Sequence, residues 1–157
     1  MTRLRGRCPR GQRLRCGVPH GHWRTTTVIG AVRVDGTTAC MAIEGATDTA
    51  VFRAFISDVL VPTLRSGDIV VMDNLIPHKN EQTIALLEAV GATALFLPPY
   101  SPDLNPIELM WSKVKAALRA SEARSHESLL KALASALDSI SASDARNWFA
   151  HCGYNFI

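Results

Sequence analysis

No acidic residue precedes Asp35, and no two cysteines stand in a C-x-x-C pair. The first absence leaves residues 1–24 with seven arginines, at positions 3, 5, 7, 10, 13, 15 and 24, and nothing among them to neutralise the charge. The second argues against a redox motif or a common zinc site. Cys8, Cys16, Cys40 and Cys152 are too scattered, in a chain of 157 residues with 47% apolar side chains, to read as a disulfide scaffold. A chain this long buries roughly 70% of the surface its unfolded form exposes, so it needs no staple. A reducing, cytoplasmic setting is the simpler expectation. Long apolar runs are also missing: nothing approaches the roughly 18 residues of a membrane span, and no signal-peptide core follows the basic start. No membrane partner is expected, and there is no internal repeat.

What is present is charge of unlike kinds in different places. The net charge of +3 hides an acidic body, because everything after Arg24 carries ten basic and fourteen acidic side chains. Guanidinium groups pair bidentately with phosphate, so Arg5, Arg7 and Arg10 are candidate DNA-backbone contacts. A solvated basic arm is the plainer alternative.

From Thr25 the chain turns to strand chemistry. Two β-rich runs flank Asp35-Gly36 and predict a hairpin. Val51, Phe52, Phe55, Ile56, Val59 and Leu60 recur at helical spacing and predict an amphipathic helix from about Thr47 or Asp48 to Leu64. Ile69–Met72 reads as a buried strand ending at Asp73-Asn74. A helix over about 80–90, stopped by Gly91, and a second buried strand over 94–97 complete a strand–helix–strand unit. Its strands should be parallel, with both tips at one sheet edge, where ligands of open α/β sheets collect. Four prolines between Pro98 and Pro106 make a stiff link, and Asn105-Pro106 is a strong helix start. That helix should reach about Ala120, with Ile107, Met110, Trp111, Val114, Ala117 and Leu118 on its apolar stripe and Glu108, Ser112, Lys115 and Arg119 on a polar one. Two further helices are expected over 126–141 and 143–152.

Asp73 at a strand tip and Glu108 in the first turn of a helix stand at the two ends of positions 74–107, a stretch that includes the stiff proline link. Paired carboxylates suit Mg²⁺ or Mn²⁺, and such ions can activate a water or hydroxyl and steady a leaving oxygen in phosphodiester displacement. Each acid alone has a plainer role: Glu108 as the acid of a capping box, Asp73 as a side-chain turn. His78 could orient water or touch a phosphate, and Lys115 and Arg119 could bind DNA beside Glu108. A zinc site from Cys8, Cys16, His20 and His22 fits no common spacing. Trp111 and Trp148 read as core rather than base-stacking platforms.

The run Val70-Val71-Met72-Asp73-Asn74-Leu75-Ile76-Pro77-His78-Lys79, followed by Leu95-Phe96-Leu97-Pro98-Pro99-Tyr100-Ser101-Pro102-Asp103-Leu104-Asn105-Pro106-Ile107-Glu108, resembles the catalytic region of the IS630/Tc1/mariner transposase superfamily, nearest to the bacterial IS630 type. Positions 18–27 and 62–68 resemble it too. The resemblance implies a ribonuclease-H-like α/β fold, a mixed sheet flanked by helices. It also implies an Asp-Asp-Glu metal triad that nicks and rejoins DNA at transposon ends and in a target. By position, Asp73 matches the second acid and Glu108 the third, and their spacing fits this family. The first acid belongs on a central strand ahead of the arginine-rich stretch, so the chain is expected to be N-terminally truncated, lacking that strand and inactive alone. Asp35 is a poor substitute, since Asp-Gly places it in a turn. The expected organisation is an arginine-rich segment over 1–24, a partial catalytic core over 25–120, and C-terminal helices of the same domain over 121–157. A homodimer, or association with an upstream transposase fragment, are the expected protein partners. The rival reading is a non-catalytic remnant that binds DNA or dimerises.

Overall fold

A computed structural model describes residues 5–15, 17 and 25–155. Cys16, His20 and His22 of the candidate zinc set, and Arg3 and Arg24, lie outside them.

The predicted hairpin forms: β1 (Thr26–Val32) pairs antiparallel with β2 (Thr38–Glu44), Gly30 opposite Cys40. Its tip shows why the turn sits where it does. Thr37 N–H donates to the Asp35 carboxylate at 2.9 Å, Arg33 N–H donates to Thr37 O at 2.8 Å, and Gly36 adopts φ +91°, a region open to glycine at little steric cost. Asp35 is thereby a turn residue, and the Thr37 hydrogen bonds hold its pKa below the ordinary value.

The helix after it departs from expectation in its interior. Asp48 caps α1 (Thr49–Ala54) by accepting from Val51 N–H, but from Phe55 to Leu60 the turns widen to a π-helix, and Val61–Thr63 tighten to a 3₁₀ turn. Val61 N–H reaches back to Ile56 O, five residues earlier, and Pro62 brings no N–H with which to resume the α ladder. The rod still buries the expected residues Phe52, Phe55, Ile56 and Leu60.

The second unit has the expected strand–helix–strand order, but its strands are not the buried ones expected: Ile69 and Leu95 are exposed, and of the residues in the two strands Met72 alone is buried. β3 (Ile69–Met72) and β4 (Thr93–Phe96) are parallel, with Met72 opposite Phe96, and α2 (Glu81–Glu88) connects them under an Asn80 cap. After the proline link come α3 (Pro106–Ser121), α4 (His126–Asp138) and α5 (Ala142–His151), the last two begun by Ser capping boxes. On α3 the apolar stripe buries Met110, Val114 and Leu118, whereas Ala117 is exposed, a methyl too small to extend the contact.

A mixed sheet lacking its first central strand is expected, and among the described residues the strands form two separate two-stranded sheets, β1 with β2 and β3 with β4. β1 stands between two apolar clusters, Ile29 and Ala31 packing on the α1 side and Val28 and Val32 on the α3 side. Trp111 and Trp148 pack on the second cluster, as core residues. No helix among the described residues is long and apolar enough to cross a membrane.

Two ion pairs tie elements together. Arg33, just past β1, donates to both Asp68 carboxylate oxygens, at 2.9 and 2.5 Å, and Lys113 of α3 reaches Asp144 at the start of α5 at 2.6 Å. The Arg33 hydrogen bonds draw the Asp68 pKa from 3.8 to about 2, and those of Lys113 and Ser141 bring Asp144 to about 2. A carboxylate depressed on folding stabilises fully above its unfolded pKa and loses that contribution as pH falls toward the folded value. Stability should therefore decline from pH 4 toward pH 2. Asp68→Asn and Asp144→Asn should each cost about 1 kcal/mol at pH 7, allowing for solvent screening at these partly exposed pairs, and flatten that decline. Urea unfolding at pH 7 and pH 2.5 measures both.

Candidate active site

Asp73 follows directly on β3, and Leu97 N–H donates to Met72 O at 2.8 Å, so the chain leaves both parallel strands at the same level. From there the proline link runs to Asn105, whose side chain accepts from Ile107 N–H at 3.3 Å while Pro106 occupies the first helical position, buried. That cap fixes where α3 begins, and so places Glu108 in its first turn. Asp73, Asn74, Leu97, Asn105 and Glu108 all line one cavity of about 470 Å³. The strand tips and the helix start are thus brought together as the parallel pair and the stiff link predict.

The two acids differ in their surroundings. The Asp73 carboxylate lies 2.5 Å from Nδ1 of His78 and accepts weakly from Leu75 N–H at 3.4 Å, so its plainer role as a side-chain turn is present too. The His78 ring stacks against Phe52, centroids 4.2 Å apart. It is a largely covered group that braces Asp73, and its exposed side-chain fraction of 19% leaves a limited surface for the phosphate contact expected of it. Glu108, by contrast, is exposed, and its carboxylate has no hydrogen-bond or ion-pair partner among the described residues. The capping-box role is not the one it takes here: Asn105 caps through Ile107 instead.

Two features of the site escape the sequence. Oδ1 of Asn74 is buried with no hydrogen-bond partner among the described residues, on a residue that lines the same cavity as both acids. A buried unpartnered acceptor carries a desolvation cost. Its only sequence signal is adjacency to Asp73. Tyr100, in the link, holds a left-handed φ of +57° with its side chain fully exposed at the cavity rim. Nothing in the Pro-Pro-Tyr-Ser-Pro pattern signals that conformation.

The expected basic residues are less concentrated. Lys115 is exposed and Arg119 half-buried, one and two turns along α3 beyond Ser112. Arg5, Arg7 and Arg10 are exposed around a turn closed by Gln12 N–H to Pro9 O, and none of them lines the cavity. Among the described residues no group of three or more His, Cys, Asp and Glu side chains is placed to hold a metal ion.

The described part is an α/β domain with one acid at the tip of a parallel strand pair and a second in the first turn of the helix that lines the same cavity. The chain belongs to the DDE superfamily endonucleases, whose family model matches residues 1–130, from the arginine-rich start into α4. No curated protein matches the chain.

Proposed function

We propose that this chain is the DNA-processing part of an IS630-type transposase with a ribonuclease-H-like plan, in which Asp73 and Glu108 hold Mg²⁺ or Mn²⁺ and the polypeptide alone does not complete the reaction. The observation that carries this is that Asp73 and Glu108, from opposite ends of positions 74–107, line the same cavity in a member of an endonuclease family. The donor set fits a hard divalent cation. The candidate ligands are the oxygens of two carboxylates, and Mg²⁺ takes few protein ligands with water and phosphate completing its shell. Such a cation supplies Lewis-acid stabilisation to a phosphodiester displacement.

The chain's own residues have distinct parts. His78, pinned by Phe52, fixes the Asp73 carboxylate in one orientation. Glu108, unpartnered among the described residues, is free to turn toward a bound cation. Lys115, Arg119 and the arginine-rich segment offer charge for the DNA backbone, as positioning contacts without sequence information.

Titration with Mn²⁺, followed by electron paramagnetic resonance, tests the metal assignment. Weak binding that is lost in Asp73→Asn and in Glu108→Gln is expected; binding unchanged in both variants overturns it. Supercoiled plasmid carrying element ends should remain intact with the purified chain and Mg²⁺, and efficient metal-dependent nicking would refute the inactivity of the lone polypeptide.

The lack of a third acid beside Asp73 and Glu108 among the described residues favours a second reading, a DNA-binding remnant. DNA affinity that survives Asp73→Ala with Glu108→Ala supports it. On either reading, replacing Arg5, Arg7 and Arg10 by alanine should reduce the slope of log K against log salt by about 3, close to 0.9 per lost phosphate contact. Fluorescence anisotropy with labelled duplex from 50 to 200 mM salt measures that slope.

A further inference from the structure

The family match ends at residue 130, yet the helix that carries Glu108 is held by chain beyond that point. α5 packs against α3 and is fastened to it on both sides of Glu108. On one side Lys113 donates to the Asp144 carboxylate at 2.6 Å and to Ser139 O at 3.0 Å. On the other the Tyr154 hydroxyl donates to Leu104 O at 2.9 Å. Leu104 and Lys113 bracket the acid, and their partners follow in reverse order, so α5 runs antiparallel to the first half of α3.

Several local bonds aim the Tyr154 hydroxyl. Gly153, at φ +87°, ends α5; its N–H donates to Ala150 O and the Tyr154 N–H to Phe149 O, each at 3.0 Å, the paired bonds of a Schellman motif. That reversal sets the Tyr154 ring edge-on to Phe149, centroids 5.7 Å apart. Burial pushes the phenol pKa up, so the group stays a donor at neutral pH. Its acceptor belongs to the peptide that feeds the helix. The Leu104–Asn105 peptide is held at both ends, its C=O by Tyr154 and its N–H by Pro102 O at 3.1 Å. Asn105 then takes the N–H groups of Ile107, on its side chain at 3.3 Å, and of Glu108, on its carbonyl at 3.1 Å. The first is longer than the roughly 3.0 Å usual for such a bond. Burial adds little support, because Pro106 alone is buried between positions 102 and 108.

We propose that Tyr154 is a positioning residue for Glu108, and that α5 is the splint that holds this acid at the cavity it shares with Asp73. The proposal rests on the reading of Glu108 as a cation ligand. Asp73 has its own supports, since it follows directly on β3 and lies against His78. Glu108 has only the start of a helix beneath it, so what fixes that start fixes the acid's backbone while the side chain stays free to turn. Mg²⁺ demands near-octahedral geometry, and groups outside the ligand set that orient a ligand tune its affinity. The Tyr154 hydroxyl can therefore act on a bound cation without touching it, one peptide group ahead of the cap. A C-terminal helix outside the family match thereby completes a site whose two acids lie inside it. If α5 merely anchored the end of the chain, losing the hydroxyl would loosen the surrounding helices evenly instead of the Glu108 turn.

Tyr154→Phe in the full chain keeps the ring and removes only the hydroxyl. Amide exchange followed by nuclear magnetic resonance should quicken about fivefold at Asn105, Ile107 and Glu108, the scale of one neutral hydrogen bond, while Val114 and Leu133 change by less than about twofold. The Mn²⁺ dissociation constant from electron paramagnetic resonance should rise about threefold, less than for a group that touches a metal ligand directly. Arg146→Ala, at an exposed position of α5, should alter neither readout. Unchanged exchange at the three amides, or an acceleration shared equally by Val114 and Leu133, overturns the proposal. So does quickened exchange with unaltered Mn²⁺ affinity in a chain whose binding is lost in Glu108→Gln. Mn²⁺ binding that survives Glu108→Gln overturns the cation reading instead, and the exchange rates then decide alone whether Tyr154 positions Glu108.

Discussion

Gly36→Val is expected to destabilise the domain by about 3 kcal/mol, seen as a fall in the urea midpoint with an unchanged slope. Two costs combine. The residue holds φ +91°, where a β-branched side chain is strained, and its Cβ would lie 2.7 Å from Ala142 N and 2.9 Å from Ser141 C. Both neighbours are backbone at the start of α5, so they cannot swing aside as a side-chain tip would. Gly45→Val separates the costs: its φ is +97°, yet nothing stands within 4 Å of its Cβ. That variant should lose only about 1–2 kcal/mol, and the difference measures how firmly the hairpin tip rests on α5.

Met110→Ala should cost about 3 kcal/mol, within the roughly 2–5 kcal/mol range for deleting a buried side chain where surroundings relax little. Met110 is fully buried among Val114, Leu118, Leu133 and Ala136, where α3 meets α4. Thermal unfolding measures the loss, and Lys115→Ala on the exposed side of the same helix should change stability by no more than about 0.5 kcal/mol. If the functional reading holds, the Lys115 variant weakens DNA binding without touching the fold, whereas the Met110 variant does the reverse while the chain remains folded.

How far the sequence carries depends on whether the deciding physics is local. The start of α3 is legible because Asn105 and Pro106 act within one turn, and β3 with β4 because two short apolar runs flank a capped helix, although the exposure of Ile69 and Leu95 is not legible in those runs. The π-helical stretch is not, since apolar periodicity reports which side chains face inward and says nothing of which carbonyl each N–H selects. At the site, Asp73 and Glu108 can be read from their spacing and the proline link. The buried, unpartnered Asn74 oxygen cannot, for its state is set by what fails to approach it, and the bracing of Asp73 by His78 depends on Phe52 arriving from α1.

The Asn105 cap has a further consequence for how this gene tolerates insertions and deletions. Because the helix begins at a fixed residue, one codon gained between Asn105 and Glu108 would swing the acid about 100° around the axis, out of the cavity it shares with Asp73. A codon gained near Gly45, where the chain crosses open space between β2 and α1, would merely lengthen a surface bend. Descendants of this sequence that keep their chemistry should therefore vary in length at the second place and hold the first invariant.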